Sequence, residues 1–196
     1  MTISDLPEFI REHYEIHEWR HASAVLAKDF PSEWTDIIEV LAEFRLQRSH
    51  IVVGGGNKSL VAEAIDRAFG ARGWTEKQFD TEIVVDGAGT RSPTHQVDEY
   101  KNHVAVEVEW NNKDPFFDRD LNNFRLLFDL RVVSVGVIIT RTDELQELFN
   151  SLGRGKSYGM ATTHMSKLLP KLEGGGGGGC PVLVFGITRK LYREDE

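Results

Sequence analysis

Three carboxylates in the middle of the chain have the types and the spacing that could bind a divalent cation. Glu107 and Glu109 lie in a run of alternating residues, and because side chains two apart on a strand share a face, both project to the same side. A short turn would fold Asp98 back beside them. Carboxylates this close repel one another unless they are protonated or bind a cation, and an all-oxygen ligand set suits Mg²⁺. The sequence therefore predicts a magnesium site at Asp98, Glu107 and Glu109.

A magnesium ion held in this way favours the hydrolysis of phosphodiester bonds. The ion polarises a phosphoryl oxygen, lowers the pKa of a bound water and stabilises the transition state. Alternating Val and Glu residues are also typical of an amphipathic strand whose acidic side faces solvent. The spacing alone leaves both interpretations open for Glu107 and Glu109.

The elements that must position these residues follow from the hydrophobic periodicity. Apolar residues recur at helical spacing over 32–44, with Ser32 as the expected cap, and over 59–72, with Gly73 as the stop. Ile51-Val52-Val53 is expected to be a strand, and the remaining residues of the N-terminal third are expected to be helical. Further predicted strands lie at 81–85, 104–110, 132–140 and 181–187, and further helices at 121–130, 143–152 (capped by Thr142) and 160–172.

This order of elements predicts an α/β fold with a central mixed β-sheet flanked by helices on both faces. The run at 132–140 is apolar on both sides, so it is expected to be a central strand covered by helices. A length of 196 residues fits one domain, residues 1–196, with a helical scaffold in 1–50 and a core in 51–196. The glycine run at 174–179 is expected to be a flexible connection.

Composition excludes several classes of protein. The content of 40% hydrophobic and 28% charged residues is ordinary for a globular chain, and no apolar run is long enough to cross a membrane. Residues 1–18 lack the features of a signal peptide, so a cytoplasmic location is expected. The single Cys180 excludes an internal disulfide and a cysteine-based zinc site. A net charge of −8 argues, on average, against a nucleic-acid binder.

The acidic motif and the segments around it resemble the BglII and BstYI-like type II restriction endonucleases of the PD-(D/E)xK nuclease superfamily. The similar segments follow one another in the family's order, at 21–34, 63–64, 71–74, 104–108, 135–139, 157–158 and 181–187. The resemblance implies a restriction-endonuclease-like fold and Mg²⁺-dependent cleavage of double-stranded DNA at a palindromic site, with a GATC core and 5′ overhangs. It also implies a homodimer formed through the N-terminal helices. Asp98 and Glu107 would be the metal ligands, with the Val108 carbonyl as an additional one.

The third position of the motif departs from the family. The superfamily usually has Lys there and the BglII-like members have Gln, whereas this chain has Glu109, as BamHI-like enzymes do. Glu109 could bind a second cation or accept a proton from the attacking water, and the sequence does not separate these roles.

Two loops are expected to contact DNA. The first contains Asn111, Asn112 and Lys113; the family's loop at this place reaches base edges, and Asn and Lys have donors and acceptors that suit adenine and guanine. A plain turn is the alternative, since Asn-Asn and Asp-Pro are common in turns. The basic Lys113 offsets locally the overall negative charge.

The second loop contains Arg154, Lys156, Ser157 and Tyr158 between glycines. Its two cations suit phosphate contacts, and Ser157 matches a recognition position of the family. Solvated surface charge is the alternative for Arg154 and Lys156.

Other motifs in the sequence are weaker. The segments 54–59 and 155–157 look like the phosphate-binding loop (P-loop) of nucleotide-binding proteins but lack the required glycines, so ATP binding is rejected. The glycine loop at 54–57 remains a candidate for a DNA phosphate contact at a helix N-terminus. Glu63 is a candidate fourth acidic group of the metal site. His13, His17 and His21 would share one face of a helix. Such a face could bind a metal ion, but a solvent-exposed surface is the simpler explanation of the spacing.

Two other functions remain open. One is a catalytically inactive DNA-binding or interaction module that kept the fold while Glu109 and the glycine loops changed. The other is a repair or modified-DNA nuclease of the same superfamily, which would cut only damaged or methylated substrates.

Overall fold

A six-stranded mixed β-sheet crosses the computed structural model, which describes residues 3–53, 58–91 and 94–195. The strands of the described chain are β1 Tyr14–Trp19, β2 Leu46–Gln47, β3 Thr75–Lys77, β4 Glu82–Val85, β5 Ala88–Arg91, β6 Val97–Lys101, β7 Val104–Glu109, β8 Val135–Arg141, β9 Val182–Ile187 and β10 Tyr192–Arg193. The α-helices are α1 Glu8–His13, α2 Ala22–Asp29, α3 Pro31–Glu43, α4 Arg48–Val52, α5 Leu60–Gly70, α6 Pro115–Asp129, α7 Leu145–Ser151 and α8 Met165–Glu173. Short 3₁₀ helices lie at Ile3–Asp5 and Arg189–Leu191.

The strand order in the main sheet is β1-β9-β8-β7-β6-β3. The central strands β7, β8 and β9 run parallel, while β1, β6 and β3 pair antiparallel to their inner neighbours. Helices α1, α2, α3, α5 and α7 cover one face with one hydrophobic core, and α6 and α8 cover the other face with a second core. The predicted α/β fold, with a mixed sheet flanked by helices on both faces, is confirmed.

Strand β7 is buried along its whole length. Val104, Val106 and Val108 pack into the core below α3 and α5, so Glu107 and Glu109 must point to the α6 side. Strand β8, predicted as a central strand, is buried on both faces in the structure. The sheet therefore holds two acidic side chains under a helix.

Gly136 of β8 leaves room for the ring of Phe124 on α6. A Cβ at position 136 would lie 2.4 Å from the Cδ2 atom of that ring, which is closer than real contacts allow. We expect Gly136→Ala to lower the free energy of unfolding by about 1–3 kcal/mol through overpacking, measured by urea denaturation. Gly70→Ala is the matched control, because a Cβ there meets nothing within 4 Å and Ala favours a helix. Equal effects at the two sites would contradict the prediction.

Two N-terminal predictions are wrong. Residues Tyr14–Trp19 form strand β1 and pair with β9, from Tyr14 opposite Ile187 to Trp19 opposite Val182. The three histidines therefore share no helical face: His13 ends α1, His17 lies on β1, and His21 has a left-handed backbone with φ of 57°. The predicted strand at residues 51–53 is instead the end of α4.

The helix caps in the structure differ from those predicted at Ser32 and Thr142. Ser59 caps α5, since its Oγ accepts a hydrogen bond from the N–H of Ala62 at 3.1 Å. Helix α3 begins at Pro31, not behind a Ser32 cap, and Thr142 donates its hydroxyl to the Ile187 carbonyl at 3.0 Å instead of capping α7. Other boundaries shift by a few residues: α6 starts earlier, at Pro115, and α8 later, at Met165.

The strand predicted at 81–85 is present, but it lies outside the main sheet. It forms β4, which pairs only with β5 in a separate hairpin whose two strands are exposed.

The glycine run at 174–179 forms consecutive turns that pack on α6: a Cβ at Gly178 would lie 2.5 Å from Cγ of Arg125. The prediction of a flexible connection is wrong, because successive backbone hydrogen bonds and this close packing define its shape. In the described part of the chain, every helix is too short or too polar to span a membrane.

Candidate active site

The β6–β7 hairpin brings the first two predicted carboxylates together. Its turn consists of Asn102 and His103, both with positive φ, and it places Asp98 beside Glu107. The N–H of Asp98 donates to Glu107 Oε2 at 3.3 Å, and Asp98 Oδ2 accepts from the N–H of Val108 at 2.9 Å. The hairpin geometry predicted from the sequence is present for this pair.

Glu107 is fully buried, with 0% of its surface exposed. Burial raises its pKa well above the usual value, and the charges of Asp120 and Asp98 raise it further. Its Oε1 atom has no hydrogen-bond partner among the described residues. A solvent-facing strand, the alternative interpretation, is wrong for Glu107. Buried polar atoms normally have a hydrogen-bond partner, so the Oε1 atom is a position at which a bound water or ion could be accommodated.

Glu109 is also buried, but it has other partners than Asp98 and Glu107. Its Oε2 accepts from the Asn112 amide at 2.8 Å and its Oε1 accepts from Arg119 at 3.1 Å. Burial and the neighbouring Asp120 raise its pKa to about 9. The described residues include no group of three or more His, Cys, Asp or Glu side chains arranged to hold a metal ion. The expected cluster of three carboxylates around one point is therefore not formed.

Two residues of α6 that the sequence did not single out complete the site. Arg119 contacts Asp120 Oδ1 through Nε at 2.9 Å and through Nη2 at 2.7 Å, and its guanidinium stacks 4.2 Å from the ring centroid of Phe116. Asp120 forms a hydrogen bond with Glu109, and burial raises its pKa to about 6. The sequence does contain a sign that Asp120 is buried. It lies in the apolar stripe of α6, at helical spacing from Phe117 and Phe124.

A second acidic group lies on the α5 side of the hairpin. Glu99 is 4% exposed, its Oε2 has no partner in the described chain, and burial with the nearby Asp66 raises its pKa to about 8. Asp66 forms an ion pair with Lys58. The candidate fourth acidic residue, Glu63, is exposed and does not join this group; Asp66, one helical turn later, does.

A cavity of about 280 Å³ lies beside Asp98 and Glu109. Its walls combine carboxylates with cations and an amide, including Asp98, Glu109, Asn112, Arg119, Lys58 and His95. An anion such as a phosphate would meet Lys58 and Arg119 here while lying beside Asp98.

The first predicted DNA loop lies at the mouth of this cavity. Asn111 has a φ of 62°, and its Oδ1 is buried with no partner in the described chain. Asn112 lines the cavity and bonds Glu109, while Lys113 is exposed. The predicted loop is thus adjacent to the carboxylates, and Lys113 is free to reach a nucleic acid.

The second predicted DNA loop is exposed only in part. Lys156 and Ser157 are exposed and Arg154 is half-buried. Tyr158 is 5% exposed and stacks on Phe149 with ring centroids 4.0 Å apart. The expected DNA contact of Tyr158 does not fit this burial: its ring is covered by protein and packs under the loop.

Arg141, at the end of β8, anchors this loop from inside the protein. It is 1% exposed, and its Nη2 donates to the Tyr158 carbonyl at 3.3 Å and to Thr162 Oγ1 at 3.0 Å. Its guanidinium lies over the rings of Phe149 and Tyr158, and burial lowers its pKa to about 10.

We expect Arg141→Met to loosen this loop without a large loss of global stability. The variant removes both hydrogen bonds, but it also removes a buried charge that is costly to desolvate. Backbone hydrogen exchange at residues 154–162 should become at least about tenfold faster, while the free energy of unfolding stays within about 1 kcal/mol. Arg141→Lys, which keeps the charge, is the control. Unchanged exchange in the Met variant would contradict the anchoring role.

The glycine loop at 54–57, a candidate for a phosphate contact, lies outside the described residues. Lys58, directly after it, lines the cavity.

Residues 14–187 match the profile of the family described as Restriction endonuclease BglII/BglIII. No curated protein matches the chain. The match covers every strand of the main sheet and all the residues of the site.

Proposed function

Since the chain belongs to the BglII/BglIII restriction endonuclease family, we propose that it is a Mg²⁺-dependent type II enzyme that hydrolyses double-stranded DNA at a specific site. The observation that carries this proposal is the Asp98–Glu107 pair, in which Glu107 is fully buried and has an oxygen with no partner in the described chain. Hard cations such as Mg²⁺ prefer oxygen ligands, and these two carboxyl groups supply them.

The residues present fit a divalent cation. Asp98 and Glu107 would hold it, with the Val108 carbonyl as an additional ligand, and all three are oxygen donors on adjacent strands. When bound, the ion supplies Lewis-acid activation of the phosphate and lowers the pKa of a coordinated water.

The other residues of the cavity have roles that follow from their charges. Lys58 and Arg119 orient the phosphate by charge-assisted hydrogen bonds. Glu109, held between Asn112 and Arg119, accepts a proton from the attacking water once its own carboxyl is ionised. Its raised pKa of about 9 means that this ionisation is favoured at alkaline pH.

Cleavage of both strands follows from symmetry. One site cuts one strand, so a twofold homodimer on a palindromic sequence is the simplest arrangement for cutting two. We place the dimer contact on the helices within residues 1–50 and the DNA contacts on Asn111, Asn112, Lys113, Arg154, Lys156 and Ser157. The family resemblance suggests a GATC core in the target, and the enzyme would act on DNA in the cytoplasm.

The proposal is tested by incubating the protein with Mg²⁺ and unmodified phage DNA. We expect discrete fragments on a gel, none in the presence of EDTA, and a common palindrome at the sequenced fragment ends. Gel filtration with light scattering should give twice the mass of the chain. A well-folded preparation that cuts none of several modification-free DNAs would contradict the proposal.

A catalytically inactive DNA-binding module is the second candidate, because Glu109 is bonded to Arg119 and Asn112 and turned from the Asp98–Glu107 pair. Calorimetric titration with Mg²⁺ and Ca²⁺ separates the two. A nuclease should lose cation binding in Asp98→Asn, whereas the inactive module should bind cations weakly with or without that change.

A further inference from the structure

Asn112 connects the catalytic strand to both DNA-facing loops. Its amide Nδ2 donates to Glu109 Oε2 at 2.8 Å. Its main-chain N–H donates to Thr163 Oγ1 at 3.1 Å, and its carbonyl accepts from the N–H of Thr163 at 2.8 Å. One residue thus touches a buried carboxyl of the site and the segment that follows the second loop.

The two loops are joined beyond Asn112 as well. Lys113 and Thr162 form an isolated antiparallel bridge, and the N–H of Asp114 donates to the Ala161 carbonyl at 3.1 Å. Arg141 holds Thr162 from the opposite side at 3.0 Å. The segments 111–114 and 161–163 therefore form one supported unit, in which the backbone of Asn112 has little freedom.

The amide orientation of Asn112 is set by its partner. A carboxyl oxygen that accepts a hydrogen bond from an asparagine amide must face the Nδ2 end of the amide and not the Oδ1 end. Glu109 does so at 2.8 Å, and Glu109 is itself fixed by Arg119 and the buried Asp120. A Lys at position 109 would have the opposite effect, since an ammonium group only donates.

We propose that Glu109 is a positioning residue for DNA recognition: it fixes the Asn112 amide so that Oδ1 and the second Nδ2 hydrogen face the DNA. This inference rests on the proposed function. Those two groups form the edge of the amide that can make two hydrogen bonds to adenine. A side chain that is already fixed before binding loses less conformational entropy when it contacts the DNA. The same side chain therefore takes part in the catalytic site and in sequence preference.

The test is a double-mutant cycle on DNA binding in Ca²⁺, where cleavage does not occur. The probe is the 20-bp duplex that the wild-type protein enriches from a randomised pool, and the readout is the ratio of dissociation constants for the pool and the enriched duplex. Glu109→Ala and Asn112→Ala should each lower this preference about tenfold. The double variant should lose no more than either single variant, because both remove the same oriented amide.

Two further variants separate orientation from charge and from folding. Glu63→Ala removes a carboxyl group from the exposed side of α5, and its preference should equal that of the wild type. Glu109→Met keeps the length of the side chain without an acceptor, and it replaces Glu109→Ala in the cycle if that variant does not fold. Simple removal of negative charge should tighten binding to the pool and the duplex alike.

Three results would contradict either the positioning role of Glu109 or the proposed function. A preference within twofold of wild type in Glu109→Ala and Glu109→Met, or losses that add in the double variant, contradicts the positioning role and leaves the nuclease proposal intact. A pool from which the wild-type protein enriches no duplex contradicts the sequence-specific function itself.

Discussion

Replacing Glu107 by Ala is expected to reduce the rate of DNA cleavage by at least about 10³-fold while leaving the fold intact. Glu107 is the buried member of the Asp98–Glu107 pair and has an oxygen with no partner in the described chain. Losing a metal ligand removes several kcal/mol of transition-state stabilisation, which corresponds to a rate loss of this size. The protein should remain stable, because the variant also removes a carboxyl that burial disfavours.

Single-turnover cleavage of the mapped site in Mg²⁺ measures this effect, with thermal unfolding as the check on the fold. Glu107→Gln is the shape-matched variant and should be nearly as inactive, since its amide is a poor ligand for Mg²⁺. Glu63→Gln, on the exposed side of α5, should cut at the wild-type rate. Wild-type activity in a folded Glu107→Ala protein would exclude Glu107 from the catalytic centre.

The central strands could be predicted from the sequence because burial on both faces leaves a clear signal. Strands β8 and β9 are runs of β-branched and apolar residues, and the structure buries each of them completely. Strand β1 could not be found in this way. Its residues Tyr14–Trp19 mix polar and apolar side chains, and its partner β9 lies about 170 residues away in sequence, so nothing local marks the pairing.

In the candidate site too, the sequence predicts contacts made within one local segment but not contacts between distant segments. Asp98 and Glu107 could be placed together because a local hairpin decides their distance. Glu109 could not, because its direction depends on Arg119 and Asp120 of α6, and packing of a helix on a sheet is a tertiary property. The polar Asp120 in an apolar helical stripe was the one local sign of that contact.

Without divalent cations, the protein is expected to lose stability as the pH rises from 7 to 9. Glu99 and Glu109 have pKa values raised to about 8 and about 9 by burial, whereas both ionise near pH 4.5 in the unfolded chain. The folded state therefore holds protons that the unfolded state has released, so the free energy of unfolding falls as the pH rises toward the folded pKa values. His50 and His95, whose pKa values are lowered by burial, act in the opposite direction, but only near and below pH 6.5.

The expected loss over this interval is about 3 kcal/mol, or about 10 °C in Tm for a chain of this size, measured by thermal unfolding in EDTA. Glu109→Gln should reduce the pH dependence, because its amide resembles the protonated acid beside Asp120 and does not ionise. Glu63→Gln is the control, since it makes the same chemical change at an exposed carboxyl group, and it should leave the slope unchanged. A Tm that is constant or rises between pH 7 and 9 would show that Glu99 and Glu109 are already ionised in the folded protein. The buried carboxyls would then have to be stabilised as anions by their hydrogen-bond donors alone.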